Sequence, residues 1–323
     1  MRALVFNGAR DFQVHEIPRP VAGPGRAIVD VAYTGICGTD LHIWSGHHPR
    51  ARAGLVIGHE FVGRLSSPLD SLAAGTPVFV NPLLPCGKCP ACRYGADQVC
   101  TTLRLLGIDA PGGAAEQVAV AAEALVPLPQ DVDLLAAALI EPMAVCIRAV
   151  RRSGQFFGSR VHVTGAGPIG LLVAMCARAA GAATLTLSEL SRERAETARR
   201  LGFEVVSAEP EPVYDIVYDC TGHPAVAPEV LGWAVTGGTI VDVGMYPGPV
   251  TVDLADLMRR ELRIIGTCVY RPSDVLAAVG LVTANRIPVG ELVTSVVSLA
   301  DASRAFDLLS TGSQIKVLIS STG

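Results

Sequence analysis

The chain has 323 residues, half of them hydrophobic and 17% charged, with a formal net charge of −4. That length suggests about two domains, and the composition suits a large buried core rather than a disordered chain. The acidic balance offers no basic face for nucleic acid, and no apolar stretch is long enough to span a membrane or form a signal-peptide core, so a protein of the reducing cytoplasm is expected.

The first 140 or so residues are rich in short β-like runs: Ala27–Tyr33, Pro77–Val80 and Glu116–Val120. Gly, Pro and a cysteine-rich segment punctuate them, which predicts a compact, mostly β domain. The cysteine segment reads Cys86-Gly-Lys-Cys89-Pro-Ala-Cys92-Arg-Tyr-Gly-Ala-Asp-Gln-Val-Cys100. Thiolates separated by two, two and seven residues can converge tetrahedrally on one Zn²⁺ with every position filled, as in a structural site. Pro85, Gly87, Pro90 and Gly95 suit a looping segment rather than helix or strand. The competing readings, disulfides or unrelated loop thiols, fit poorly with a reducing compartment.

Leu134–Arg152 reads as helix with an interruption at Glu141-Pro142. From Arg160 onward strands alternate with helices. Val161–Val163 is a strand, Ile169–Ala180 an apolar helix ending at Gly181, Thr184–Ser188 a strand, and Arg192–Leu201 an amphipathic helix ending at Gly202. Phe203–Ser207, Tyr214–Cys220, Thr239–Val243 and Leu262–Thr267 are further strands. Such alternation builds a doubly wound parallel sheet with helices on both faces. Ala208–Val213 is too short for a crossover helix and predicts a loop. The tail from Glu291, with strand-like Val293–Ser298 and Lys316–Ile319, is expected to return to the first domain. The division is therefore 1–142, with the cysteine lobe at 85–101, then 143–288, then a return over 289–323.

The turn after the first of these strands is Gly165-Ala-Gly167-Pro168-Ile169-Gly170. Alone, such a glycine pattern is weak. Here it follows a strand, opens a helix, and precedes Glu189 at the end of the next strand, which makes it a dinucleotide fingerprint. Gly165 permits the tight turn, Gly167 lets backbone amides approach a pyrophosphate, and Gly170 allows close helix–strand packing. Glu189 would accept from the adenosine ribose hydroxyls, which favours NAD over NADP. Arg192 and Arg194 read as a solvated helix face, with Arg194 counted among the coenzyme-side residues.

Three fragments of the first domain have little force singly: Gly35-Ile-Cys37-Gly-Thr39-Asp-Leu-His42, Gly58-His59-Glu60 and Glu141-Pro142. Each could be a turn or a helix start. Cys146, Cys176, Cys220 and Cys268 sit among apolar neighbours and read as packed core thiols. Of the 26 basic residues only Lys88 and Lys316 are lysines, a bias read as genomic rather than mechanistic.

Together with the cysteine lobe and the glycine fingerprint, the three fragments resemble the zinc-dependent medium-chain alcohol and polyol dehydrogenases. The resemblance runs over nearly the whole chain and in the family's order. The Glu141-Pro142 variant is similar to the branch containing sorbitol, threonine and butanediol dehydrogenases. It implies a GroES-like, mostly β catalytic domain and a Rossmann coenzyme domain, with two Zn²⁺ per chain, one catalytic and one structural. By the same resemblance Cys37 and His59 are catalytic-zinc ligands, Glu60 is a ligand or near neighbour, and Glu141 takes the place of a second Cys. Whether Glu141 binds directly or through water stays open. Thr39 corresponds to the relay hydroxyl, His42 to the relay imidazole nearer solvent, and Trp44 lies near the substrate. The implied activity is hydride transfer between a secondary alcohol, polyol or cyclitol and NAD(P). The implied assembly is a homodimer or homotetramer paired through the strand Glu261–Thr267. The competing readings are a zinc-free, quinone-oxidoreductase-like reductase of activated double bonds, and a non-enzymatic binding protein on the same fold. The catalytic ligand set speaks against both.

Overall fold

The structure, a computed structural model, describes residues 1–207, 212–310 and 312–321. Most of the loop expected at Ala208–Val213 lies outside the described residues. The chain divides into two compact units, Met1–Glu141 with Ala278–Gly323, and Pro142–Ala277. The second division falls inside the helix Pro272–Thr283, earlier than residue 288.

The first unit is built on a seven-stranded sheet centred on the long strand Arg26–Gly35. Its alternating apolar residues Ala27, Val29 and Val31 are buried, as a pleated strand with one face on a core requires. Along its length it pairs antiparallel with Glu60–Leu65, Gln117–Ala121 and Lys316–Ser320. The last of these is itself an interior strand, parallel to Val293–Ser298 on its other side. Two apolar clusters make up most of the unit's core, beside a smaller one at Ala3, Val5, Val56 and Ala115. One gathers Leu4, Phe12, Ile43, Ile57 and Phe306, with the rings of Phe12 and Phe306 edge-on at 4.5 Å. The other gathers Val29, Val31, Phe61, Val78 and Val118.

The second unit is a six-stranded parallel sheet. Its order is Glu204–Val206, Thr184–Ser188, Arg160–Thr164, Tyr214–Asp219, Ala234–Asp242, Arg263–Gly266. The order reverses between Arg160–Thr164 and Tyr214–Asp219, which is where such sheets open a crevice at the strands' carboxyl ends. That edge ends in one row: Ser188, Thr164, Asp219, Asp242 and Gly266 are successive register partners.

Three local expectations are corrected. The break in the helical stretch lies at Ala138 and Leu139, between Leu134–Ala137 and Ile140–Ser153, and Pro142 sits inside the second helix. In a first helical turn a missing N–H leaves no bond unmade. The cysteine lobe is not all loop, since Pro90 starts a one-turn helix, Pro90–Arg93, capped by Cys89. Cys146 and Cys176 are buried as expected, but Cys268 is exposed because it lies just past the last strand of the sheet. Among the described residues no helix is long and apolar enough to cross a membrane.

Candidate functional site

Cys37 stands where the central strand Arg26–Gly35 gives way to the helix Gly38–Trp44, in the N-cap position. Asp40 closes that turn, its Oδ2 accepting from the Cys37 N–H at 2.9 Å. Glu60 pairs in register with Gly35, which sets it and His59 beside Cys37. A side chain at Gly35 would put its Cβ 2.3 Å from the Glu60 carboxylate and 2.9 Å from the Lys316 side chain, so that pair would have to shift to admit it. The sulfur of Cys37, a ring nitrogen of His59 and a carboxylate oxygen of Glu60 all lie within 4.8 Å of one another. His59 and Glu60 are almost fully buried, and Cys37 is half-buried.

Two further residues complete the cluster, and no motif in the sequence marks them. Asp40 is fully buried, with its Oδ1 at 3.7 Å from His59 Nδ1; neither atom has a hydrogen-bond partner. Lys316, also buried, donates from Nζ to the Ile36 carbonyl at 3.0 Å and to the Glu60 carboxylate. Burial raises the Asp40 pKa. Burial would lower that of His59, but Asp40, Cys37 and Glu141 outweigh it and hold the ring well above its ordinary value. For Lys316 burial likewise acts downward, and Glu60, with Cys37 and Glu141, overcomes it to raise the amine. Glu141, itself buried, thus acts on both groups through its charge. Lysine was legible only as a rarity: Lys316 is one of two in the chain.

A thiol, an imidazole and a carboxylate converging in a buried pocket form a donor set suited to Zn²⁺. The fit rests on the donor chemistry of the three ligands; the unsatisfied Asp40 Oδ1 and His59 Nδ1 face each other at 3.7 Å rather than the ligand position. With Nδ1 turned to Asp40, His59 keeps its other ring nitrogen for a metal. Thr39 Oγ1 lies 3.9 Å from Cys37 Sγ, and His42 lies three residues further along the same short helix, exposed to solvent. Trp44 stacks on Phe306 at 6.3 Å and carries the Arg10 guanidinium on its ring at 5.7 Å, so it flanks the core of this unit. Tyr270 is buried.

The four sulfurs of Cys86, Cys89, Cys92 and Cys100 also lie within 4.8 Å of one another. The Cys89–Cys92 separation of 3.5 Å is far beyond a disulfide bond, and all four are free thiols. Backbone N–H groups of Lys88 and Cys89 lower the Cys86 thiol to about 6, and those of Cys92 and Thr101 lower Cys89. Desolvation and its neighbouring thiols push Cys92 up to about 12. Four thiols so crowded fit a single Zn²⁺ that would draw off their protons.

In the second unit, Gly165 has φ +87°, a backbone that L side chains rarely adopt. A Cβ at Gly170 would stand 1.9 Å from the Gly165 carbonyl oxygen, so only glycine lets the helix Pro168–Ala179 start this close to the strand. Pro168 and Ile169 form the first positions of that helix, and Gly167 caps it. Glu189 bridges the loop to the next helix: it accepts from Ala166 N at 2.9 Å and from Ser191 N at 2.8 Å. A terminal nitrogen of Arg194 comes within 3.8 Å of where a side chain on Gly167 would stand. Arg192, by contrast, is exposed and tied to Glu196 at 3.0 Å. The glycine cradle fits a dinucleotide pyrophosphate at a helix N-terminus.

Comparison with known proteins gives the family. Residues 23–130 match the alcohol dehydrogenase GroES-like domain, and residues 168–284 match the zinc-binding dehydrogenase family. The chain is 33% identical over 322 residues to 2-dehydro-3-deoxy-L-galactonate 5-dehydrogenase of Pseudoalteromonas atlantica, covering 95% of this chain and 94% of that protein. It is 30% identical to sorbitol dehydrogenase of Halalkalibacterium halodurans, covering 99% of each. Among solved structures, a candidate zinc-binding dehydrogenase of Sinorhizobium meliloti 1021 bound to NADP superposes with a TM-score of 0.92 at 30% identity, over 99% of this chain and 98% of that one. The chain therefore belongs to the zinc-dependent medium-chain dehydrogenases, with a GroES-like domain and a Rossmann domain. It is an oxidoreductase that moves a hydride between the CH–OH group of an alcohol or polyol and a nicotinamide coenzyme.

Proposed function

We propose that Cys37, His59 and Glu60 hold the catalytic zinc, that Cys86, Cys89, Cys92 and Cys100 hold a structural one, and that the substrate is a polyhydroxylated alcohol or sugar acid. The observation that carries this is the buried convergence of Cys37, His59 and Glu60 with Asp40 and Lys316 packed behind them. The substrate class follows the relatives, whose names specify a sugar acid and a polyol. A zinc ion at that site supplies Lewis acidity, making a bound hydroxyl easier to deprotonate. Asp40 acts on the His59 ring by its charge, 3.7 Å from Nδ1, and Lys316 balances the charge of Glu60. Glu141 stands in reserve as a further carboxylate near the same groups. Thr39, beside Cys37, would accept the hydroxyl proton while giving up its own, and His42 on the same helix, exposed to solvent, would take that proton and release it to water.

On the coenzyme side, Gly165, Gly167, Pro168, Ile169 and Gly170 receive the pyrophosphate, and Glu189 the adenosine ribose. Glu189 favours NAD because its carboxylate would repel a 2′-phosphate. Arg194 acts in the opposite direction, and the S. meliloti neighbour does bind NADP. The exposed edge strand Arg263–Gly266, with Ile264 open to solvent, supports pairing of two copies into a dimer or a dimer-based tetramer. Nine free cysteines support a reducing, cytoplasmic setting, which cell fractionation checks.

Metal analysis combined with a coenzyme-reduction screen of polyols and sugar acids tests the reading. Two zincs per chain and turnover with NAD⁺ are expected. One zinc or none, or no turnover with any polyhydroxylated alcohol, would overturn it. Light scattering that returns a monomer would overturn the proposed assembly.

A further inference from the structure

The last row of the parallel sheet places two carboxyls side by side. Asp219 and Asp242 end adjacent strands and are register partners, so their backbones are one strand spacing apart, about 4.8 Å. Asp219 is buried and accepts from four neutral donors: Thr164 Oγ1 at 2.7 Å, Thr221 Oγ1 at 2.7 Å, Thr221 N at 3.0 Å, and the Tyr246 hydroxyl. Asp242 is less well served, for its Oδ1 is buried without a hydrogen-bond partner. Among the described residues no ion pair reaches either carboxyl. Burial and the neighbouring Asp219 push the Asp242 carboxyl up to about 6, which leaves it ionised under alkaline conditions. Burial also pushes up the Tyr246 phenol and the Cys220 thiol of the same edge, so neither adds charge there.

The position of this pair in the row gives it meaning. Glu189 follows Ser188 and marks the ribose end of the crevice, and the glycine cradle follows Thr164 and marks the pyrophosphate. A dinucleotide laid across the row in that order brings its second half over Asp219 and Asp242. That half ends in the nicotinamide ring, cationic when oxidised and neutral when reduced. The rest of the molecule is the same in both states, so a nearby unbalanced negative charge acts on the difference between them.

We propose that Asp242, set beside Asp219 at the sheet's carboxyl edge, is a selectivity residue that favours the oxidised coenzyme over the reduced one. This rests on the reading of the Gly165–Gly170 crevice as a dinucleotide site. It requires no contact with the ring, only proximity, because charge acts over several ångströms where water is partly excluded.

The test is calorimetric titration of the zinc-loaded protein with NAD⁺ and with NADH, without substrate, at alkaline pH. Wild type is compared with Asp242→Asn and with Asp242→Glu, and Asp242→Ser serves as the neutral variant if the amide does not fold. The neutral variant is expected to raise the Kd for NAD⁺ about fivefold while the Kd for NADH stays within about twofold. Asp242→Glu, which keeps the charge, is expected to keep the wild-type ratio of the two constants. An unchanged ratio in the neutral variant overturns the proposal, as does equal loss of both coenzymes, which would mark a packing role. A wild-type protein that binds neither coenzyme would instead overturn the dinucleotide reading itself.

Discussion

The two candidate metal-ligand clusters of the first unit are built in opposite ways. In the cysteine lobe, four like donors come from one continuous segment, and local backbone N–H groups lower two of the thiols. In the Cys37–His59–Glu60 cluster, three unlike donors are brought together by strand register, with a buried acid on one side and a buried amine on the other. On the proposed reading, the lobe would spend all four donors on one ion and leave no place for a substrate. The second cluster offers fewer donors and surrounds them with charged groups that set orientation and balance. A closed ligand set suits folding, and an open one suits chemistry.

The sharpest way to break this contrast is to remove one ligand from each cluster. His59→Ala or Cys37→Ser is expected to lower kcat on the order of ten-thousandfold while the protein keeps its fold and about one zinc. Steady-state kinetics with metal analysis checks it, and near wild-type kcat in either variant would remove the assigned site. Lys316→Met is the next largest effect, this time on stability. It leaves Glu60 buried without its partner, which should destabilise the zinc-free protein by about 3–5 kcal/mol. Zinc should recover part of that loss by taking over the carboxylate's charge. Urea unfolding with and without zinc reads both quantities, and equal losses in the two states would show that Glu60 does not face the metal.

Cys89→Ser acts in the lobe and should behave differently. A loss of at least about 2 kcal/mol, or roughly 5 °C in Tm, is expected, with kcat per folded molecule unchanged. An unaltered Tm and zinc content would end the structural assignment. The smallest effect lies in the second unit. Wild type should prefer NAD⁺ by about tenfold in kcat/KM, and Glu189→Ala should narrow that gap. Equal or better efficiency with NADP⁺ in the wild type would hand the choice to Arg194.

The same contrast decides what could be read from the sequence. The convergence of the four cysteines was legible because they are close in sequence. The Gly165–Gly170 loop was legible for the same reason, and the parallel sheet followed from the alternation of strand and helix. The helix break was misplaced because Pro142 looks like a breaker, yet a first turn tolerates it. Lys316 was invisible because its partner, Glu60, is 256 residues away, and only strand pairing brings them together. Asp40 was overlooked within Cys37-Gly-Thr-Asp40 because nothing in a sequence tells a buried carboxyl from a solvated one.

The strand Lys316–Ser320 is an interior member of a sheet whose other members, apart from Val293–Ser298, are all made within the first 130 residues. On the ribosome, the early strands emerge long before their missing neighbour, and the whole of Pro142–Ala277 is made in the interval. The first unit must therefore wait, incomplete, while the second is synthesised and has time to fold. Glu60 spends that interval without its amine. Completion of the proposed catalytic cluster is thereby timed to the synthesis of Lys316–Ser320, so a half-made chain carries the cysteine lobe and the glycine-rich turn but not the finished cluster.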